Sequence, residues 1–351
     1  MSVSGISYIY SKTMQLTKGY CEGMALPEPT HTPTKVALLD DFQDVGRTLG
    51  PWARLGERVE VTAFTETIAG EDALAVALEP FDVIVAMRER TAFPRSLIER
   101  LGNLRLLVTT GMANAAIDMQ ALRERGVTVC GTTGSFPATL ELTWALLLGV
   151  ARHLGEEDRA IREGGWQHTI GTEVAGRTLG LVGLGRIGSA MVPVAHAFGM
   201  DVIAWSANLT VDGASAAGAE RVEKQELFTR ADFVSIHYSL SERSRGIVGT
   251  REIARMKPTA FLVNTSRGPL VDTQALLEAL REGRIAGAAL DVYDQEPLPV
   301  EHPLRSAPRT LLSPHLGYVA SGAYERWWRE IVEDVETFLD GDPVRVIDPL
   351  S

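Results

Sequence analysis

The turn Gly183-Leu184-Gly185-Arg186-Ile187-Gly188 carries the architecture of this chain, because of what flanks it. Upstream, Arg177-Thr178-Leu179-Gly180-Leu181-Val182 is a short β-prone apolar run. Downstream, 190–198 is helix-compatible and Asp201-Val202-Ile203-Ala204-Trp205 opens a second strand. A glycine-rich turn from strand into helix lets the backbone approach a pyrophosphate, and the helix N-terminus offers N–H groups and a positive dipole end. GxGxxG alone recurs by chance; between two strands within about 30 residues it marks a dinucleotide-binding unit. Gly183, Gly185, Arg186, Ile187 and Gly188 are its candidate contacts.

Outward from that unit, strands alternate with helices. Strands are expected at 35–41, 59–64, 81–87, 104–109 and 126–130, with helix-compatible segments such as 70–78 and 94–101 between them. A long amphipathic helix is expected over 139–163. Beyond the glycine unit, strands follow at 233–237, 260–264, 286–290 and 310–312. The tail 323–339 reads as an amphipathic helix with Trp327, Trp328, Ile331, Val335 and Leu339 near one face. Such alternation predicts parallel, helix-covered sheets.

The first sheet lacks a last helix, and the final helix lacks a sheet. The pattern therefore predicts 35–132 with 317–351 as a substrate domain and 133–316 as the dinucleotide-binding domain. The expected fold class is α/β: two doubly wound parallel-sheet domains, a Rossmann-type dinucleotide-binding domain inserted into a discontinuous flavodoxin-like substrate domain. Residues 1–34, closing with Pro27, Pro29 and Pro33, read as a poorly ordered extension, with Met24 as an alternative start.

Composition narrows the function. A length of 351 residues fits about two domains, each with its own core. With 45% hydrophobic and 23% charged residues the chain reads as soluble and globular. Its net charge of −11, without basic blocks, argues against a nucleic-acid or anionic-membrane partner. Cys21 and Cys130 form no metal motif or disulfide framework, so no metal is expected and the cytoplasm is the simpler reading. The most apolar run, 142–151, falls far short of the roughly 20 residues that a transmembrane helix needs. No signal-peptide pattern opens the chain.

A nicotinamide site acting on a polar carbonyl needs a cation for a substrate carboxylate, a proton donor at the carbonyl oxygen, and a partner fixing that donor. Three loops that follow strands offer these groups. Arg267 lies in Asn264-Thr265-Ser266-Arg267-Gly268-Pro269, Glu296 in Asp291-Val292-Tyr293-Asp294-Gln295-Glu296-Pro297, and His315 in Ser313-Pro314-His315-Leu316-Gly317. In open α/β sheets the loops at carboxyl ends of strands converge on the ligand crevice. Taken singly, each residue has an ordinary reading as a capping arginine, a loop carboxylate or a packing histidine. As a spaced trio beside the glycine unit, they point to catalysis.

With these motifs the sequence resembles the D-isomer-specific 2-hydroxyacid dehydrogenases, from Lys35 to about Leu339. Order, residue type and spacing agree, with 29 positions from Arg267 to Glu296 and 19 from Glu296 to His315. The resemblance implies two α/β domains, one of them discontinuous, and interconversion of a 2-keto acid and a D-2-hydroxy acid. It implies that Arg267 binds the substrate carboxylate and carbonyl oxygen, that His315 is the general acid/base, and that Glu296 orients His315. It also implies that Thr265 and Asp291 border the nicotinamide. Elementary chemistry agrees: developing charge on a carbonyl oxygen is quenched by proton transfer from an imidazole, and only arginine meets a carboxylate with two parallel hydrogen bonds.

The cofactor is NAD or NADP, with the choice open. Ser206 stands 18 positions after Gly188, where NAD enzymes usually place an acid, and no Arg or Lys is adjacent in sequence to clamp a 2′-phosphate. His237 and Tyr238 close a strand and are expected to line the cofactor groove. On the substrate side, Arg88 or Arg90 is expected to hold a second anionic group, and the loop at Gly111 and Met112 to cover the substrate with backbone N–H groups. Other readings are a relative using formate or phosphite as hydride donor, or a non-catalytic dinucleotide-binding redox sensor. The intact trio favours a hydroxy acid. A homodimer is expected, because Leu142, Ala145, Leu146, Leu148 and Gly149 exceed what one sheet face needs.

Overall fold

The computed structural model describes residues 32–134 and 136–347; most of the extension 1–34, including Cys21, lies outside the described residues, as do 348–351. Two sheets organise the chain. The first contains β1 (Thr34–Leu38), β2 (Val59–Ala63), β3 (Val83–Ala86), β4 (Leu106–Thr109) and β5 (Thr128–Gly131), in the order β2-β1-β3-β4-β5. The second contains β6 (Thr178–Val182), β7 (Asp201–Trp205), β8 (Glu220–Arg221), β9 (Phe233–Ile236), β10 (Phe261–Asn264), β11 (Gly287–Leu290) and β12 (Thr310–Leu312). Its order is β12-β11-β10-β9-β6-β7-β8. Every neighbouring pair is parallel. The first order is that of flavodoxin; the second is the Rossmann order with a seventh strand on one edge. The expected α/β class, two doubly wound parallel-sheet domains, is the observed one.

Parallel strands buried on both faces need apolar residues at consecutive positions, which is why these strands read as unbroken runs. In β1, Val36 and Leu38 pack into one layer with Trp327, Trp328 and Ile331 of the helix Ser321–Leu339. Ala37 and Leu39 point into the opposite layer with Leu78 and Ile84. The tail of the chain thus covers a face of the first sheet. Full burial of such side chains contributes about 1.5–3 kcal/mol each. On the second sheet, Leu179, Leu181 and Val263 meet Trp144, Leu147 and Val150 of the helix Pro137–Ala151. Val234 and Leu262 face Leu227, Leu276 and Leu280 on the other side.

Three details differ from the sequence reading. The helix expected over 139–163 is two helices, Pro137–Ala151 and Leu154–Arg162. His153 breaks it with a left-handed φ of 51°. Its N–H still donates to the Val150 carbonyl, while its own carbonyl starts the next helix by accepting from Glu156 and Glu157. The freed Ala151 carbonyl takes the Thr172 N–H instead. The helix after the glycine turn starts earlier than 190, at Arg186, directly behind the turn. Finally, Leu146 and Gly149 are buried in this chain's own core and Leu142 and Leu148 are half-buried, so the apolar surplus of that helix is largely spent internally.

Candidate active site

β6 ends at Val182 and the helix Arg186–Ala197 follows, with Gly185 as its N-cap. The first and third glycines are forced by contact. Gly183 has φ +100°, and a Cβ there would stand 2.4 Å from the His237 carbonyl oxygen. A Cβ on Gly188 would stand 2.2 Å from the Gly183 carbonyl oxygen. Gly185 differs: a Cβ there would meet nothing within 4 Å. That open shelf before the first helical N–H groups is the room a pyrophosphate needs. Gly185, Arg186 and Ile187 line a cleft of about 970 Å³.

His237, Tyr238 and Thr265 line the same cleft. The His237 Nε2 shares a hydrogen bond with Ser235 Oγ (2.9 Å), and burial pushes the ring down to about 4, so it stays neutral near pH 7. Tyr238 stacks on Trp205 with ring centres 6.0 Å apart, and its carbonyl accepts from Ser266 Oγ at 2.7 Å. Thr265 and Thr143 join their hydroxyls at 2.7 Å. Ser206 follows Trp205 at the end of β7, half-buried and outside the cleft wall. Folding brings to this strand end cations that sequence adjacency did not show. The Lys224 ammonium lies 5.5 Å over the Trp205 ring, and Arg221 Nε donates to the Leu209 carbonyl at 3.4 Å.

At the carboxyl ends of β10, β11 and β12, Arg267, Glu296 and His315 come together on the cleft wall. His315 Nδ1 is hydrogen-bonded to Glu296 Oε2. The other Glu296 oxygen accepts the Tyr293 N–H at 2.9 Å, so the backbone fixes the carboxylate and the carboxylate fixes the ring. His315 has a left-handed φ of 54°, uncommon away from glycine. Asp291 holds that conformation. Its Oδ1 accepts from Ser313 Oγ (2.6 Å) and the Leu316 N–H (2.7 Å), its Oδ2 from the Gly317 N–H (2.9 Å), and its carbonyl from the His315 N–H (2.8 Å). Burial pushes the Asp291 carboxyl up against the opposing pull of these bonds. The carboxylate is fully buried and anchors the His315 loop.

The opposite wall comes from the loops after β3 and β4 and departs most from the sequence reading. Of the two cations expected here, Arg90 lines the cleft, while Arg88 Nη1 donates to the Thr110 carbonyl at 2.9 Å behind it. Gly111 gives its N–H to Thr132 Oγ1 at 2.9 Å, so that one N–H is engaged within the protein. Met112 is exposed and off the wall, where Ala113, Ala115 and Ala116 stand instead. Glu89, passed over in the sequence, is on the wall, and its Oε1 accepts from Arg267 Nη2 at 2.8 Å. The local signal was the Arg88-Glu89-Arg90 alternation at the end of a strand. Among the described residues no group of three His, Cys, Asp or Glu is set to hold a metal, and no helix is long and apolar enough to cross a membrane.

Comparison with known proteins gives a consistent result. Residues 144–317 match the family model described as D-isomer specific 2-hydroxyacid dehydrogenase, NAD binding domain. A glyoxylate reductase of Korarchaeum cryptofilum is 37% identical over 253 residues, 70% of this chain and 76% of that protein. A D-3-phosphoglycerate dehydrogenase of Methanocaldococcus jannaschii is 35% identical over 276 residues, 78% of this chain but only 52% of that longer protein. The crystal structure of a phosphoglycerate oxidoreductase from Vibrio cholerae superposes with a TM-score of 0.83 at 37% identity, covering 88% of this chain and 99% of that one. The chain belongs to the D-isomer-specific 2-hydroxyacid dehydrogenases, oxidoreductases that use NAD or NADP.

Proposed function

We propose that this protein interconverts a 2-keto acid and its D-2-hydroxy acid, with His315 as acid/base, Glu296 orienting it and Arg267 binding the substrate carboxylate. The observation that carries the reading is the His315–Glu296 hydrogen bond, set beside Arg267 in the cleft that begins at the glycine turn. When bound, the dinucleotide supplies the hydride to the carbonyl carbon in reduction and takes it back in oxidation. In reduction the carbonyl oxygen keeps the electron pair of the broken C=O π bond and takes one proton from His315, leaving a hydroxyl. Glu296 holds Nδ1, which leaves Nε2 to serve the substrate. Arg267 Nη1 donates to the Ser266 carbonyl at 2.8 Å and Nη2 to Glu89, which set the plane of its fork for a carboxylate.

The reading extends to three finer points. Ser206, near the end of β7, reads the adenosine ribose, and its neutral hydroxyl admits either dinucleotide. Two copies of the chain form a homodimer; the support is the run after the long helix, where Leu154, Ile161, Trp166 and Ile170 are 58%, 54%, 72% and 95% exposed. The reaction runs in the cytoplasm, which suits the free thiol of Cys130. The test of the activity is initial rates of NADH and NADPH oxidation with glyoxylate, pyruvate, hydroxypyruvate and bulky aromatic 2-keto acids. Keto-acid-dependent oxidation, with the D-hydroxy acid as product, is expected. Dinucleotide binding without turnover on any of them contradicts the reading.

A further inference from the structure

A second cavity, of about 510 Å³, adjoins the catalytic cleft. Arg90, Tyr293, Glu296 and His315 line both spaces, whereas Arg267 lines the cleft alone. The two spaces therefore share the acid/base, and the second extends where Arg267 does not reach. Most of its remaining wall is apolar and comes from both domains. Phe42 follows β1, Leu298 follows β11, Leu312 ends β12 and Leu316 comes next after His315. Phe42 is 39% exposed and the three leucines are half-buried, so each keeps apolar surface in contact with water. A concave, mostly apolar space of this size is the form of a small-molecule site, and an apolar group that fills it removes that surface from water.

The polar side chains around the cavity are engaged by the protein. Gln43 Oε1 accepts the Tyr324 hydroxyl at 3.1 Å, and Ser313 Oγ donates to Asp291 at 2.6 Å. Two guanidinium groups border the space. Arg305 donates from Nε to the Pro299 carbonyl at 2.8 Å and from Nη2 to the Leu298 carbonyl. Arg90 Nη1 donates to the Asp40 carbonyl at 3.0 Å, with its guanidinium laid over Phe42 at 4.4 Å and Tyr318 at 5.3 Å. An anionic group is the competing occupant. It would draw on guanidinium donors partly taken by backbone carbonyls, and it would leave the four apolar side chains wet.

We propose that this cavity receives the side chain of the substrate, so that the preferred substrates are 2-keto acids with a bulky apolar side chain, aromatic or branched. The proposal rests on the keto-acid reading above. The carbonyl carbon of a keto acid is planar with three substituents. With the carboxylate on Arg267 and the oxygen at His315, the third substituent leaves away from Arg267, past His315 and Arg90, into the second cavity. The hydrogen of glyoxylate and the methyl of pyruvate stop short of its walls. A benzyl or isobutyl group reaches them, and apolar contacts of that extent discriminate by at least about tenfold.

The test compares kcat/KM for glyoxylate, pyruvate, 4-methyl-2-oxopentanoate (branched), phenylpyruvate (aromatic) and 2-oxoglutarate (second anion), in the wild type, Phe42→Asp and Phe42→Leu. In the wild type at least one bulky apolar acid should exceed glyoxylate, pyruvate and 2-oxoglutarate at least tenfold, with the branched and aromatic arms showing which shape is preferred. In Phe42→Asp the ratio of that acid to pyruvate should fall at least tenfold, and Phe42→Leu, which keeps the wall apolar, should restore most of it. Ratios are the readout because a general loosening of the site lowers all rates together. A wild-type preference for a small acid or for 2-oxoglutarate, or a ratio within twofold of wild type in Phe42→Asp, overturns the cavity assignment and leaves the keto-acid reading standing; no turnover of any keto acid overturns both.

Discussion

Ser206 and His237 each make the chemistry of a single position measurable. Ser206→Asp would offer a carboxylate to ribose hydroxyls and repel the 2′-phosphate of NADPH. A hydrogen bond to a charged group contributes about 1.5–3 kcal/mol, so the NADPH/NADH ratio of kcat/KM should fall at least about tenfold. A ratio within about twofold of wild type, in a folded variant, would move ribose recognition elsewhere. The His237 ring titrates near 4 when folded and near its ordinary 6.5 when unfolded, so between those values the unfolded chain binds more protons. The stability it lends is full above pH 6.5 and is lost as pH falls toward 4, by up to about 3 kcal/mol. Urea unfolding at pH 7.5 and pH 5 should therefore show a smaller pH loss in His237→Gln than in wild type; equal losses would contradict the assignment. At this scale the trio was legible because the chemistry dictates its residue types and their spacing. Glu89 was not: it is one of 45 acidic residues, and its significance comes from a partner 178 positions away.

The glycine turn shows how an element was legible in outline and in function. Gly183 is required by its φ and by the His237 carbonyl, whereas Gly185 is required by the space in front of it. Gly183→Ala should cost about 2 kcal/mol or more through left-handed strain and overpacking, lowering Tm. Gly185→Ala should leave Tm nearly unchanged while weakening dinucleotide binding, read by titration of nicotinamide fluorescence. Equal effects of the two substitutions on Tm would contradict this division. The buried strands were legible because parallel sheets demand continuous apolar runs, and 310–312 was found to the residue. The break at His153 was not, since a single left-handed histidine is fixed by packing and by the Thr172 N–H, neither of which leaves a local sequence signal. Asp291 is the same case: its type was visible, but its use as the anchor of the His315 loop appears only when β11 and β12 lie side by side.

Across the whole molecule, the sheets bring together side chains whose loops are far apart in sequence, and the two walls of the cleft differ in how well the sequence foretold them. The wall on the second sheet carries the trio the sequence had named; the wall on the first carries Arg90, which the sequence had named as an alternative, with Glu89 and small alanines in place of Arg88, Gly111 and Met112. The exposed apolar side chains from Leu154 to Ile170 belong to this scale as well. Static light scattering at micromolar concentration should report twice the chain mass of 38.1 kDa, and a monomer would refute the dimer. The central claim is that one cleft joins a dinucleotide to a keto acid through the proton of His315. The most direct measurement pairs keto-acid reduction with dinucleotide binding in wild type and His315→Ala. The account predicts turnover lowered about 10²-fold or more with dinucleotide affinity nearly unchanged; unchanged turnover in that variant would contradict it.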